Sequence, residues 1–299
     1  MGRRIHMDRM QLKAYAKINL GLDVLRRRED GYHEVKMIMQ TIRMYDRLEL
    51  RKLSGPEIRV RTNLSFLPVN ENNLVYKAAK LLLDEFGISQ GIAIDLKKFI
   101  PVAAGMAGGS SDAAAVLFGV NRMFQLGLGQ QELMDRGVKI GADIPYCILR
   151  GTALAEGIGE RLTSISPMPD CQILIAKPGV NVSTRFVYEN LHADQITDHP
   201  DVDGMAEALK RQDLRGLAAR MRDGNVLERV TGPAYPVIGQ IEEFMRASGA
   251  LEAMMSGSGP TVFGIFEDPA AAKKAYQRLR KRNLARQLYL TSPYNRRTV

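Results

Sequence analysis

Leu12, Ala14, Ala16, Ile18, Leu20, Leu22 and Val24 alternate along the chain with Lys13, Tyr15, Lys17, Asn19, Gly21 and Asp23. Successive side chains leave a strand on opposite faces, so this period of two predicts a half-buried strand. The even positions go to a core, and Lys17 and Asn19 come side by side on the polar face, within reach of one ligand. Ile92, Ile94 and Leu96 repeat the rhythm against Ala93, Asp95 and Lys97. Between these runs the spacing changes. From Leu74 to Phe86 apolar residues recur at i, i+4, i+7 and i+8 and stop at Gly87, which predicts a helix with a glycine end. Further helices are expected from Ala113 onward, over Gln131 to Lys139, from Pro236 to Ser248 with an end near Gly249, and after Pro269. A polar hairpin-like region, Gly151 to Leu162, gives way near Pro167-Met-Pro169 to the strand-like run Ile173 to Ala176. The boundary between two domains is therefore expected at 166/167, giving residues 1–166 and 167–299. A polar connection spans Asp194 to Asp203, and no internal repeat or low-complexity tract stands out.

The most informative join is Pro101, Val102, Ala103, Ala104, Gly105, Met106, Ala107, Gly108, Gly109, Ser110 and Ser111, a glycine-rich stretch that runs from the second strand straight into a helix. A helix N-terminus offers unpaired backbone N–H groups and a partial positive charge, and small residues let an oxyanion approach the main chain. Gly105, Gly108 and Gly109 supply that access. Ser110 or Ser111 stands where an N-cap belongs, and their hydroxyls suit a phosphate or a phosphate-bound metal ion. The stretch reads as a phosphate cradle; a tight turn with an ordinary serine cap is the other reading. No Gly-x-x-x-x-Gly-Lys-Ser/Thr and no Gly-x-Gly-x-x-Gly after a strand occurs, and the His-Arg-Asp and Asp-Phe-Gly elements of protein kinases are missing. What remains, Pro-x-x-x-Gly-Met-x-Gly-x-Ser-Ser, resembles the second motif of the GHMP kinases, small-molecule kinases named for galactose, homoserine, mevalonate and phosphomevalonate.

Three further segments carry the resemblance in the same order along the chain. Ala16-Lys-Ile-Asn-Leu-Gly-Leu22 is similar to the first motif. Gly141-Ala-Asp-Ile-Pro145, in which Asp143 taken alone reads as a turn residue before a proline, is similar to the segment with the family's catalytic aspartate. Met254 to Phe266, with Ser-Gly-Ser-Gly between two apolar runs, resembles the third motif. Asp30-Gly-Tyr-His-Glu34 resembles the branch of the family whose acceptor is a cytidine diphosphate ester of methylerythritol. There Tyr32 offers a stacking face and a phenol, and His33 a flat imidazole, to the cytosine ring. Tyr188, on a helix-like stretch after the cap residue Ser183, matches an aromatic position of the family, with helix packing and ligand contact equally open. The loop departs from the pattern in its alanines, where many relatives carry glycine; a methyl group restricts positive φ.

The resemblance implies an α+β fold of two domains, an N-terminal domain like ribosomal protein S5 domain 2 and a ferredoxin-like C-terminal domain. It implies in-line transfer of the ATP γ-phosphoryl group to the 2-hydroxyl of 4-diphosphocytidyl-2-C-methyl-D-erythritol, in the non-mevalonate route to isoprenoid precursors. Lys17 and Asp143 are then the catalytic residues, 101–111 the ATP loop, and Asn19, Tyr32, His33 and Tyr188 the acceptor contacts. ATP with Mg²⁺ is the expected cofactor; no protein metal ligand is assigned, although Ser110, Ser111 and Asp112 all lie near enough in sequence to be considered.

Composition narrows the rest. The 299 residues are 45% apolar and 25% charged, as in a globular protein of two domains. No apolar run approaches the length of a membrane span, and Met1 to Met10, ahead of the strand pattern, lack the apolar core of a signal peptide, so the cytoplasm is expected. Cys147 and Cys171 make neither a metal cluster nor a disulfide framework. The net charge of +9 suits polyanionic small molecules. It also fits a nucleic-acid binder, with Arg26-Arg-Arg28 and the basic terminal helix as contacts. Yet Ala and Leu at helical spacing make that helix an ordinary solvated one, and such a protein needs no combination of Lys17, the loop and Asp143. The expected partners are therefore ATP and the cytidine ester, with no nucleic acid and no membrane, in a monomer or homodimer.

Overall fold

The computed structural model describes residues 7–295, so residues 1–6, ahead of the strand pattern, lie outside the described residues. The chain packs as two compact units whose segments interleave. One takes the chain through Ala16, Met44–Ile100 and Ala107–Leu149; the other takes Lys17–Arg43, Pro101–Met106 and everything from Arg150. Two long strands, β1 (Arg9–Arg27) and β2 (His33–Lys52), pair with each other and contribute a half to each unit.

In the first unit the far half of β2 is antiparallel to β4 (Ile92–Lys97), Leu48 opposite Leu96 and Leu50 opposite Ile94. Strand β3 (Ile58–Thr62) lies parallel to β4, and helix α1 (Leu74–Glu85) makes the crossover that a parallel pair requires. Asn73 caps α1 by accepting from the Val75 N–H at 3.0 Å, and Gly87, at φ +60°, ends it, so the helix stands where its spacing predicts. Val75, Ala78, Ala79, Leu82 and Leu83 form its buried face. Helices α2 (Gly108–Phe124), α3 (Gln130–Gly137) and α4 (Ile144–Leu149) complete the unit, with α2 packed against α1 and α4.

In the second unit the near half of β2 pairs with β5 (Thr152–Gly157), which pairs with β6 (Arg161–Ser164), the predicted hairpin. Strand β7 (Gln172–Lys177) follows, then helices α5 (Thr184–Glu189), α6 (Val202–Lys210), α7 (Leu214–Met221), α8 (Glu228–Ala234) and α9 (Val237–Ala247). Strands β8 (Glu252–Met255) and β9 (Val262–Phe266), helix α10 (Pro269–Arg282) and strand β10 (Gln287–Thr291) end it. The second sheet is antiparallel throughout in the order β10-β7-β9-β8, with α9 and α10 packed on it. Asp268 caps α10 through the N–H groups of Ala270 and Ala271, with Pro269 in the first turn, where its missing N–H costs nothing.

Two expectations change. Strand β1 is not half-buried: from Ala16 to Val24 both faces are covered, and Lys17, Asn19 and Asp23 are buried with the apolar set. The cover comes from within the second unit. Met205 of α6 lies over Gly21, and the main chain of Leu22 bonds Gly224 O at 2.7 Å and Val226 N at 3.0 Å. The second is the start of α2, at Gly108.

Candidate active site

The N-cap of α2 is Ala107, at φ 52°, not Ser110 or Ser111, which fall in the helix. Gly108 and Gly109 enter helical geometry without a side chain to place, and the Ser111 N–H already bonds Ala107 O at 2.8 Å. The Ser111 hydroxyl donates to Tyr15 O at 2.7 Å, inside the first unit. Asp112 turns inward to the Lys98 ammonium at 2.6 Å and is 2% exposed, so it is not available to a metal at the surface of the loop. Ala103 and Ala107 both sit at positive φ, at 50° and 52°, the region a Cβ disfavours.

The upstream part of the loop belongs to the second unit and is held by β1 and the third glycine-rich segment. Met106 O accepts from the Lys17 N–H at 3.2 Å, while the Lys17 ammonium donates to Asn19 Oδ1 at 2.7 Å, so the two residues predicted to share a face do meet. The amide of Asn19 also donates to Met37 Sδ at 3.2 Å. Ser256 joins the pieces: its hydroxyl accepts from the Asn19 backbone N–H at 3.3 Å and donates to Gly105 O at 3.0 Å. Gly105 is at φ +72°, and a Cβ there would overlap the Ser256 carbonyl. Ser256 is held from behind by Asn225, whose amide donates to Met255 O and Gly257 O, both at 2.9 Å, while its oxygen accepts from Leu227 N. Both N–H donors of that buried side chain are thereby used, and its oxygen takes one bond of the two it can accept.

Of the loop residues, Pro101, Ala104, Met106 and Ser111 are buried, Val102, Gly105, Ala107, Gly108 and Ser110 half-buried, and Ala103 and Gly109 exposed. Asp143 lies in the first unit, half-buried, immediately before α4, with its carbonyl accepting from Cys147 N at 3.1 Å. Pro145 thus sits in the first turn of a short helix rather than blocking one.

Tyr32 and His33 close the β1–β2 hairpin. Asp30 Oδ1 accepts from the Tyr32 N–H at 3.1 Å, Arg28 N bonds Tyr32 O at 2.7 Å, and Gly31 takes φ +86°. The Tyr32 ring projects from this tip, 59% exposed. His33 instead meets Tyr188 of α5, ring centroids 5.0 Å apart at 39°. Burial, and then the charge of Arg27, lower the His33 pKa and favour the neutral ring. Phe186, 42% exposed, is on the same helix, and Thr184 bonds Ser258 at 2.8 Å, tying the start of α5 to the Ser-Gly-Ser-Gly loop. The motif pattern pointed to Lys17, Asn19, His33 and the loop. Ser256 was visible only as part of a glycine loop, and Asn225 carried no signal that a single sequence could raise.

The family model described as "GHMP kinases N terminal domain" matches residues 73–151, and "GHMP kinases C terminal" matches 205–285. The chain is 58% identical over 288 residues to 4-diphosphocytidyl-2-C-methyl-D-erythritol kinase of Lachnospira eligens, covering 96% of this chain and 99% of that one. A crystal structure of 4-(cytidine 5'-diphospho)-2C-methyl-D-erythritol kinase superposes with a TM-score of 0.81 at 32% identity, over 96% of this chain and all of the other. Homoserine kinase from Cytophaga hutchinsonii, at 21% identity, gives 0.79 over 98% and 96% of the two chains, a likeness of fold.

Proposed function

This chain belongs to the GHMP kinases, among the 4-diphosphocytidyl-2-C-methyl-D-erythritol kinases, and from that premise we infer that it transfers the γ-phosphoryl group of ATP to the 2-hydroxyl of 4-diphosphocytidyl-2-C-methyl-D-erythritol. The step belongs to the non-mevalonate route to isoprenoid precursors. The observation that carries the acceptor assignment is the 58% identity over 96% of the chain to a relative of that name. The fold is the α+β fold of the family. We propose residues 1–166 and 167–299 as its two domains in chain order, supported by the matched segments 73–151 and 205–285.

Phosphoryl transfer asks a protein chiefly for position and for charge stabilisation. Asp143 is proposed to take or orient the proton of the acceptor hydroxyl. Lys17, fixed by Met106 O through its backbone and by Asn19 Oδ1 through its ammonium, is proposed to stabilise charge on the transferring group; its buried setting supports this, since such a donor needs little reorganisation. The loop 101–111 is proposed to hold the triphosphate through its amides. Tyr32, His33 and Tyr188 are proposed as the cytosine contacts. The His33–Tyr188 contact supports the second and third of these, and the exposed Tyr32 ring offers a free stacking face.

Among the described residues no group of three His, Cys, Asp or Glu could hold a metal ion. Mg²⁺ keeps waters and binds through nucleotide phosphates with few protein ligands. The Ser111 hydroxyl is buried and gives its proton to Tyr15 O, so the half-buried Ser110 is the better candidate ligand. When bound, the ion spreads the charge of the β- and γ-phosphate oxygens. No described helix is long and apolar enough to cross a membrane, and we propose a cytoplasmic enzyme whose partners are these small molecules.

The test is ATP-dependent phosphorylation of the cytidine ester by the purified chain, with mevalonate and homoserine offered as competing acceptors. Product from the ester alone supports the assignment. Turnover of another alcohol keeps the kinase and discards the pocket.

A further inference from the structure

Directly before and after the phosphate loop, three charged side chains are buried together in the first unit. Lys98, 4% exposed in its side chain, bridges Asp46 and Asp112, which are 0% and 2% exposed. The ammonium meets Asp46 Oδ2 and reaches Asp112 Oδ2 at 2.6 Å. The other oxygen of Asp46 accepts from the N–H groups of Phe99 and Ile100, the latter at 2.8 Å, the last residues before Pro101. Asn63 pins Lys98 from outside: its oxygen accepts from Lys98 N at 2.8 Å and its amide donates to Lys98 O at 3.2 Å. Asp112 stands in the second turn of α2, and a Cβ on Gly108 would come within 3.1 Å of the Lys98 nitrogen. The cluster therefore touches both ends of the loop, the backbone at 99–100 and the helix from Gly108 to Asp112.

Burying three charges to hold a surface turn is expensive, and apolar residues would do it at least as well. The cluster differs from apolar packing in direction and charge. Its hydrogen bonds fix where Ile100 stops and where α2 starts, and Lys98 offsets the negative charge that Asp46 and Asp112 bring to the start of that helix. Burial pushes the Asp112 carboxyl well above its usual range, against the pull of Lys98. Burial alone would lower the Lys98 pKa, but Asp112 and Asp46 outweigh it and hold it up.

We propose that Lys98, Asp46 and Asp112 are positioning residues for ATP, a buried bridge that holds the two ends of the phosphate loop in register and sets nucleotide affinity without touching the cytidine ester. This rests on the ATP reading of the loop. The variant Asp112→Leu cuts the bridge to α2 and leaves Lys98 and Asp46 as a neutral pair; if the larger side chain prevents folding, Asp112→Ala makes the same cut without overpacking. Asp112→Asn keeps an oxygen for Lys98. ATP and the cytidine ester are titrated separately by calorimetry in the presence of Mg²⁺, with thermal melting alongside.

The expected result is an ATP dissociation constant raised roughly fivefold or more in the leucine variant, recovered in large part by asparagine, with ester affinity within about twofold throughout. Equal weakening of both ligands in step with a lower melting temperature would make the cluster purely structural and overturn the proposal. So would unchanged ATP affinity in a folded leucine variant. A wild-type chain that binds ATP but phosphorylates nothing sinks the kinase reading and leaves this test standing, whereas one that binds no ATP removes both.

Discussion

Gly105→Ala probes the contact that joins the phosphate loop to the third glycine-rich segment. At φ +72° a residue with a Cβ costs roughly 1–2 kcal/mol relative to glycine. The new methyl group would also overlap the Ser256 carbonyl oxygen and stand 3.0 Å from Ser256 C and 3.2 Å from Gly259 N. These are backbone atoms, which cannot rotate away as a side chain can. One of the two loops must move, and with it goes the 3.0 Å bond from the Ser256 hydroxyl to Gly105 O, worth about 1 kcal/mol, while the bond from Asn19 N to that hydroxyl loosens. The sum is roughly 2–4 kcal/mol. If the proposed loop role holds, most of that loss appears in transition-state stabilisation, so kcat/KM for ATP falls by about 30-fold to 1000-fold at 1.4 kcal/mol per decade. The assay pairs steady-state kinetics with thermal melting, and Gly109→Ala is the control. Gly109 is within a helix, and a Cβ there meets only Leu74 Cδ1, at 3.4 Å, so its stability is expected unchanged or raised. A Gly105→Ala chain with wild-type melting and kcat/KM within about threefold would refute the steric argument.

Asp143→Asn should lower kcat by roughly 10²-fold or more while the fold and ATP binding persist, and near-normal turnover would remove Asp143 from the chemistry. The paired variants His33→Ala and Tyr188→Ala should show a coupling of about 0.5–1.5 kcal/mol in ester binding and leave the KM for ATP alone, so additive effects would mean the rings do not act as one contact. The same ring gives a pH dependence. Its folded pKa lies below 6.5, so between that pKa and 6.5 the unfolded chain binds more protons and stability rises with pH. Ester binding should weaken as the pH falls through this window and below, and His33→Gln should flatten that limb. In the second unit, burial first, and then the hydrogen bond that the protonated carboxyl donates to Glu242, push Glu228 well above 4.5. Here the native state holds the extra proton, so stability falls as the pH rises above 4.5. Glu228→Gln retains the oxygen that accepts from Met255 N and should melt higher than the parent at about pH 8, with the gap closing near pH 5; a constant gap would argue against titration.

What was legible in the amino-acid sequence was local. The helix from Leu74 to Glu85 is written in its apolar spacing, its asparagine cap and Gly87; the strands, the hairpin at 152–164 and the loop-to-helix join follow from periods of two and 3.6 and from turn residues. Motif order made the family recognisable, and the comparisons bear that out. The serine cap failed partly for a local reason, since two glycines let the helix start earlier, and partly for a distant one, since Ser111 spends its hydroxyl on Tyr15.

Tertiary structure decided which polar residues are buried and what they meet. Alternation marked Lys17, Asn19 and Asp23 as one face of β1 but not that this face is covered, because the cover arrives from residues near 205, 225 and 256. Ser256 finds Gly105 across 151 positions and Lys98 finds Asp46 across 52, separations at which no local pattern carries a signal. His33 and Tyr188 become one aromatic contact only when α5 is laid beside the hairpin. The physical reason is range: backbone propensity and hydrophobic period act within a turn or a strand, whereas a hydrogen bond between buried groups depends on where the packed core leaves each of them.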